Sequence, residues 1–576
     1  MHRLRVHDRA SGIGRRGPPL RLTGDRMTVS GRKVFSRRAI VGASAAAAVA
    51  GTAFALRNSA AIHPHSGDPH TLNRGNGAEP DSLDPHKAAG GNWENNIIGD
   101  MFLGLMTEDA AGNPILGAAE SYHPSNGGLT YTFKIRDHKW SDGARVTADD
   151  FVFAFRRILD PKTASQYASI LYPIKNANRV CTGEMSPSSL GVRAIDAQTL
   201  EINFEFQVPY IAELLTNMAA FPIPKHIVER YGDSWVLPSH IATNGPFVLR
   251  EWVPNDHIIL SKNPYFHETG KIRLERVIFY PTQDYAAALN RFRAGEFDIT
   301  NSVPSQEIDW LKANLPSVLR IAPFILTQYV QFNLTRKPFD DLRVRQALSL
   351  AIDREIIAGK VMRAGERPAY AYIPPDMPDY PGKASVGFEH LSMAARLSKA
   401  KDLLKQAGFG PNNPLVFDYA FQNQTDARLV AVAMQEMWRE VGAQVLLLPS
   451  ETQVHYNLLR RQNFSVAWAG WYADYRDAKN YLFIWESSAG DMNVGKYSSR
   501  RFDSLVASSD NERDPKTRAS LLQSAEQALL DDVPLAPVYF GVSRGLVSNQ
   551  VRGWVDNDIN VNRSRYLWLD RARPTV

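Results

Sequence analysis

Residues 392–448 read SMAARLSKAKDLLKQAGFGPNNPLVFDYAFQNQTDARLVAVAMQEMWREVGAQVLLL, and their two alternating periods set the fold class. From Ser392 to Gly408, Leu397, Ala400, Leu403, Leu404 and Ala407 recur every three or four residues. That spacing makes one apolar stripe on a helix, and Gly408 stops it. Leu415 to Phe421 reads as a strand, Asp426 to about Val441 as a second helix, and Gln444 to Leu448 as a second strand. Helix and strand in alternation predict a βαβ-type lobe in an α/β protein.

Eighteen residues on stands VAWAGWYADY, Val466–Tyr475. Ser465 to Ala469 reads as a short buried strand that ends at Gly470. It delivers Trp468, Trp471, Tyr472 and Tyr475 with one carboxylate, Asp474. Ligands of open α/β sheets sit at the carboxyl ends of the strands. Flat apolar walls around one placed charge describe a small-molecule pocket.

The first half is richer in strand pairs. Leu129 to Ile135, LTYTFKI, alternates as a strand and enters a turn at Arg136–Gly143. Thr147 is a good N-cap for a helix from Phe151 to Leu159, with Asp149 and Asp150 in its positive first turn and a stop at Asp160-Pro161. Leu200 to Phe206 reads as a strand, 208–219 as a helix and Pro338 to Ile357 as another helix. Two unlike lobes, with the chain returning at Val533 to Phe540, predict a clamshell with a hinge.

Charge is concentrated at the start. Residues 1–60 carry 12 Lys or Arg and only Asp8 and Asp25, so the formal +6 of the chain leaves a net −4 for the remainder. The basic character therefore belongs to the leader and does not point to nucleic acid. Arg37-Arg38 before an Ala-rich apolar run to about Leu56 reads as a cleavable twin-arginine export signal, residues 1–60 being signal and leader. No Cys follows that run, as a lipoprotein would need, and Cys181 has no partner in the chain for a disulfide. The expectation is a monomer in the periplasm. His63, His65 and His70 make a weak metal pattern, and no metal or cofactor is expected.

In chain order, AEPDSLDPH near the mature start, WSDGARVTADDFVFAFRRILDPKTAS (Trp140–Ser165), ATNGPFVLREWVPNDHIIL (Ala242–Leu260), KNPYF (Lys262–Phe266), RKPFDDLRVRQALSLAIDREII (Arg336–Ile357), AGWYADY (Ala469–Tyr475), NVGKYSSRRFDSLV (Asn493–Val506) and VPLAPVYF (Val533–Phe540) resemble the blocks of the periplasmic oligopeptide-binding proteins. These are the solute-binding proteins, extracellular family 5, that serve peptide ABC importers. The resemblance implies a two-lobed periplasmic-binding-protein clamshell with an extra inserted α+β subdomain. Lobe I would be 62–105, 240–324 and 537–576, the inserted subdomain 106–239 and lobe II 325–536. It implies a peptide ligand and an inner-membrane ABC permease as partners.

The same resemblance implies that Asp474 binds the peptide's ammonium group. Trp471, Trp468 and Tyr475 would flank it, and Asn493 and Tyr172 match cleft blocks. The chain departs from many oligopeptide binders in three places. Trp468 stands where they have Arg, Arg476-Asp477-Ala478 replaces Asn-Glu-Pro, and Ala88-Ala89-Gly90-Gly91 lacks an early acid. A counter-ion for the ligand's carboxylate is then sought among Arg460, Arg461 and Arg476. A murein peptide, an opine, a nickel chelate or haem are the alternative ligands. No Gly-x-Ser-x-Gly elbow, His-Glu-x-x-His helix or P-loop is present, so no enzyme is expected.

Overall fold

The computed structural model describes residues 67–88 and 90–571. The arginine pair, the apolar run, His63 and His65 lie outside the described residues. His70 is exposed, and no group of three His, Cys, Asp or Glu side chains converges among the described residues. No described helix is long and apolar enough to cross a membrane.

The strands and helices that position the site are, in chain order, β1 (Thr71–Gly75), α1 (Asn92–Met101), β2 (Ala119–Ser125), β3 (Thr130–Ile135), α2 (Ala148–Leu159), β4 (Val192–Asp196), β5 (Thr199–Asn203), β6 (Phe247–Val253), β7 (His257–Lys262), β8 (Arg276–Tyr280), β9 (Ile299–Thr300), β10 (Leu319–Phe332), α3 (Leu342–Leu350), α4 (Met393–Gln406), β11 (Leu415–Gln422), α5 (Thr425–Glu440), β12 (Ala443–Ser450), β13 (Val466–Tyr472), α6 (Pro515–Asp532) and β14 (Leu535–Val547). The large sheet runs β12-β11-β13-β10-β14-β9-β1-β8-β7-β6. β11 is parallel to both β12 and β13, the βαβ arrangement expected from the 392–448 periodicity.

Two long strands join the halves of this sheet. β10 pairs with β13 from Leu326 to Phe332, and with β14 over both Leu319–Pro323 and Thr327–Gln331. β14 in turn reaches β9 at Leu546 and Val547. The β10–β14 register slips between Pro323 and Thr327, so the ladder is interrupted where the two strands cross from one half to the other. Such a break locally frees and bends the backbone.

Between β1 and β6 the chain builds a separate antiparallel sheet, β2-β3-β5-β4, with α2 against it. α2 opens with a capping box: the Thr147 amide donates to Asp150 Oδ2 at 2.8 Å. Its buried Phe151, Phe155, Ile158 and Leu159 join a core shared with β1, α1 and β6–β8. A second core packs α3, α4 and α5 against β11 and β13, and a third surrounds Tyr372, Tyr481 and Trp485 beneath α6. The fold is the two-lobed α/β clamshell with its inserted α+β piece.

Several elements differ from their sequence reading, among them the strand expected over Leu200–Phe206, which ends at Asn203. The helix expected over 208–219 contracts to Ile211–Leu214, because the Asn217 side chain accepts from Ala219 N at 2.9 Å and starts a new turn. The helix expected from Pro338 to Ile357 breaks after Leu350, and Asp353 caps a fresh turn by accepting from Ile356 N at 3.0 Å. The strand expected to end at Gly470 continues to Tyr472, with Gly470 paired to Gln328 and Tyr472 to Leu326.

Candidate functional site

That two-residue extension reorders the site. Side chains of a strand alternate faces. On β13, Trp468, Gly470 and Tyr472 line a cavity of about 320 Å³. Ala469, Trp471 and Ala473 pack on the other face, in the core beneath α6. Trp471 meets Phe483 edge-on at 5.9 Å, and its indole N–H donates to Asn480 Oδ1 at 3.0 Å. The expectation that Trp471 walls the pocket is thus corrected by strand parity, and Tyr472 takes that place. The amide end of Gln328 lies over Gly470, where a Cβ would come within 2.7 Å of it, so a side chain at this position would push Gln328 aside.

The large cavity lies between the halves of the molecule. Arg74, Asn76, Trp93 and Tyr285 contribute from one side, and Gln422, Gln424, Asp426 and Trp468 from the other. Phe324, Leu326, Gln328, Tyr539 and Arg544 of the crossing strands form its back. Its volume falls at the lower end of the ~300–1,000 Å³ typical of ligand pockets. A smaller cavity of about 40 Å³ shares Asn92 and Tyr472 with it and reaches Asp474, Asn217 and Glu108.

Asp474 sits two residues past the end of β13. Its Oδ2 accepts from Tyr167 Oη at 2.6 Å and from Asn480 Nδ2 at 3.4 Å, and its Oδ1 accepts from Asn217 Nδ2 at 3.0 Å. All three donors are neutral. Burial pushes its pKa up to about 6, against the pull of those hydrogen bonds. Tyr167 and Asn217 belong to the inserted segment, 307 and 257 residues away in sequence, so the carboxylate is gripped across the cleft. Sequence reasoning missed Tyr167, Asn217 and Asn480. Around Tyr167 and Asn217 the sequence carries no signal for a partner so distant, and Asn480, six residues on, is brought back to Asp474 only by the turn between them.

The other expected residues go elsewhere. Tyr475 is buried and stacks on Tyr210 with centroids 4.3 Å apart and planes 1° from parallel, which fastens the turn to the inserted segment rather than lining a cavity. Asn493 is also buried: its Nδ2 donates to Tyr497 O at 2.7 Å and its Oδ1 accepts from Tyr497 N at 3.0 Å, so it holds its own loop. Tyr172 lies half-buried on the first core beside Cys181 and lines neither cavity. Trp468 does line the large cavity, beside Tyr539 at 5.9 Å.

None of the three arginines sought as a counter-ion faces the cavity either. Arg476 spans the cleft as a tie, bonding Asp558 at 2.6 Å, Glu213 at 3.3 Å and the Gly112 carbonyl at 3.0 Å. Arg461 is exposed, and burial lowers the pKa of Arg460 near Asp81. Further bridges cross the cleft: Tyr472 Oη to the Gly90 carbonyl, Tyr285 Oη to Gln424 Oε1 at 3.2 Å, and Gln453 Nε2 to the Glu79 carbonyl at 3.2 Å. The arrangement is a cleft with a carboxylate, Asp474, held by neutral donors alone, and a wall of amides and aromatic rings. It can hold a cationic, polar, extended molecule.

The chain is similar to proteins of known class. Residues 113–493 match the model for bacterial extracellular solute-binding proteins, family 5 Middle. The periplasmic oligopeptide-binding protein OppA of Salmonella typhimurium is 36% identical over 496 residues, which is 85% of this chain and 91% of that protein. The crystal structure of Haemophilus influenzae OppA in complex with the peptide RPPGFSPFR superposes with a TM-score of 0.85 at 32% identity, covering 88% of this chain and all of the other. The Escherichia coli murein tripeptide binding protein MppA gives 0.84 at 33% identity, covering 88% and 99%.

Proposed function

This chain belongs to the bacterial extracellular solute-binding proteins of family 5, and from that premise we propose that it captures peptides in its interlobe cleft and hands them to an inner-membrane ABC importer. The observation that carries the reading is Asp474. A deeply set carboxylate with only neutral donors is costly, and one added cation repairs it. A peptide's N-terminal ammonium is such a cation, and its hydrogen bond to the carboxylate would be charge-assisted. Trp468 and Tyr472 then wall the first residues, and the amides of the large cavity serve the backbone. Binding of this kind asks for no chemistry, in keeping with relatives named as binding proteins. A murein peptide falls within the same reading, since it is also a peptide.

In this reading lobe I comprises residues 62–105, 240–324 and 537–576, the inserted subdomain 106–239, and lobe II 325–536. The receptor works as a periplasmic monomer exported through its twin-arginine signal. Replacing Arg37 and Arg38 with Lys should leave precursor in the cytoplasm, and unchanged export would exclude that route. The test of the ligand reading is calorimetric titration with di- to heptapeptides, including a murein tripeptide, each with a free or an acetylated amine. Acetylation should weaken binding by more than tenfold. Equal binding of both forms at every length would overturn the reading.

A further inference from the structure

We propose that Arg320 is the carboxylate-binding residue of the cleft, taking a ligand carboxylate some three to five residues away from the amine held at Asp474. The inference rests on the peptide reading above and extends it to the ligand's other end. Three arginines line the large cavity. Arg544 is neutralised by Glu366 at 2.9 Å and by Asp426. Arg74 is buried, and its Nη1 donates to the Asn562 carbonyl and Ser564 Oγ, both at 3.0 Å. Arg320 has neither kind of partner among the described residues: its Nε is buried without an acceptor, and no carboxylate lies within 4.0 Å of it. A guanidinium presents five N–H donors in a fixed fork, and a carboxylate fills two of them at once.

The strand explains why the fork stays free. Arg320, Phe324, Leu326 and Gln328 of β10 all line the cavity. Opposite Arg320 in the ladder stands Gly545, where a Cβ would meet the Thr300 carbonyl oxygen at 2.3 Å. The residue directly across β14 therefore offers no side chain to cover the guanidinium or to accept from it. The spacing follows from the neighbouring ladder. Ala473 N donates to the Ile325 carbonyl at 3.1 Å, which sets Asp474 level with Phe324. From there to Arg320 is about 10–13 Å along a strand rising ~3.3 Å per residue, shortened by the register slip. An extended ligand covers that distance, plus the reach of the arginine, in about three to five residues.

A carboxylate at that distance has two sources, the C-terminus of a short peptide or an acidic side chain of a longer one. The experiment compares free-acid and C-terminally amidated peptides of two to seven residues. It adds amidated heptapeptides with Glu or Gln at positions three to five. Each is titrated against the wild type, Arg320→Gln and Arg320→Lys, with melting temperatures recorded for all three proteins. The wild type should prefer the carboxylate about tenfold or more at one length or one position, a charge-assisted hydrogen bond's worth. Arg320→Gln should bring that ratio close to one, and Arg320→Lys should retain part of it. Because the ratio is taken within each variant, partial unfolding does not disturb it. A wild type with no carboxylate preference at any length or position, or a preference that survives in Arg320→Gln, overturns the inference. N-acetylation in the same series separates the two readings: if it still weakens binding while the carboxylate preference is absent, only the Arg320 assignment fails.

Discussion

Asp474, half-buried in the cleft, and Glu526, fully buried on α6, are both acids whose pKa values desolvation raises, to about 6 and about 7. Their surroundings differ. Glu526 is fully buried; its Oε1 accepts from Tyr372 N at 2.7 Å and Ile373 N at 2.8 Å, and Tyr380 donates to its Oε2. These partners all lie between residues 372 and 380, and Glu526 lines neither of the two cavities. Asp474 borders a cavity and is held by groups from across the cleft. A perturbed pKa alone therefore does not mark a site. Glu526 pins the 372–380 loop through its hydrogen bonds, whereas Asp474 stands at a cavity where a ligand could reach it.

The sharpest way to break this contrast is mutation. Asp474→Ala should cost ~2–5 kcal/mol of peptide affinity, since truncating one side of a buried charge pair strands the other. That is roughly 1.5 to 3.5 decades. Glu526→Gln should leave affinity unchanged. Titration of one free-amine peptide against both variants decides the matter. Equal losses in the two would dissolve the distinction. In Asp474→Ala, acetylation of the peptide should then do little more, because both changes delete one contact.

The next effect is on stability, and its sign follows from linkage. A carboxyl whose folded pKa lies above its unfolded value binds its proton more tightly when folded. Glu526 thus contributes stability that is complete below the ordinary value of 4.5 and is lost as pH rises from there to about 7. The loss is ~1.4 kcal/mol per pH unit within that window, roughly 3 kcal/mol in all. Melting of the ligand-free protein between pH 4.5 and 8 should show this slope, and Glu526→Gln should flatten it. A variant with the wild-type slope would remove Glu526 from the account.

The smallest effect sharpens the role of Asp474. Below about pH 6 its carboxyl is protonated, and capture of an ammonium must displace that proton. Affinity for a free-amine peptide should fall between pH 7 and pH 5, by roughly tenfold in total and approaching tenfold per unit below the pKa. The acetylated peptide should show no such fall. A free-amine affinity that is flat over this range would mean that Asp474 is already ionised or is not the partner.

How much of this was legible beforehand differs between scales. Periods of 3.6 and 2 in residues 392–448 announced α4, β11, α5 and β12, because amphipathic spacing is a local property. The ordered blocks from Trp140 to Phe540 identified the family and singled out Asp474. Strand length was not legible at Gly470. The residue reads as a stop, but pairing with Gln328 of β10 carries β13 two residues further. That extension exchanged Trp471 for Tyr472 on the cavity wall. Asn493 and Tyr172 were misplaced for a related reason, since a block's position along the chain does not say which way its side chains face.

By itself, the amino-acid sequence determined the alternation of elements, the location of the net positive charge in residues 1–60 and the single acid at the end of VAWAGWYADY. Tertiary structure alone decided that β10 and β14 cross between the halves with a slip in register. It alone brought Tyr167 and Asn217 to Asp474 and left Arg320 facing the cavity without an acceptor. The physical reason is range. Periodicity and capping act over a few residues, while the charge state and accessibility of a buried group depend on whatever the fold packs around it, from any distance along the chain.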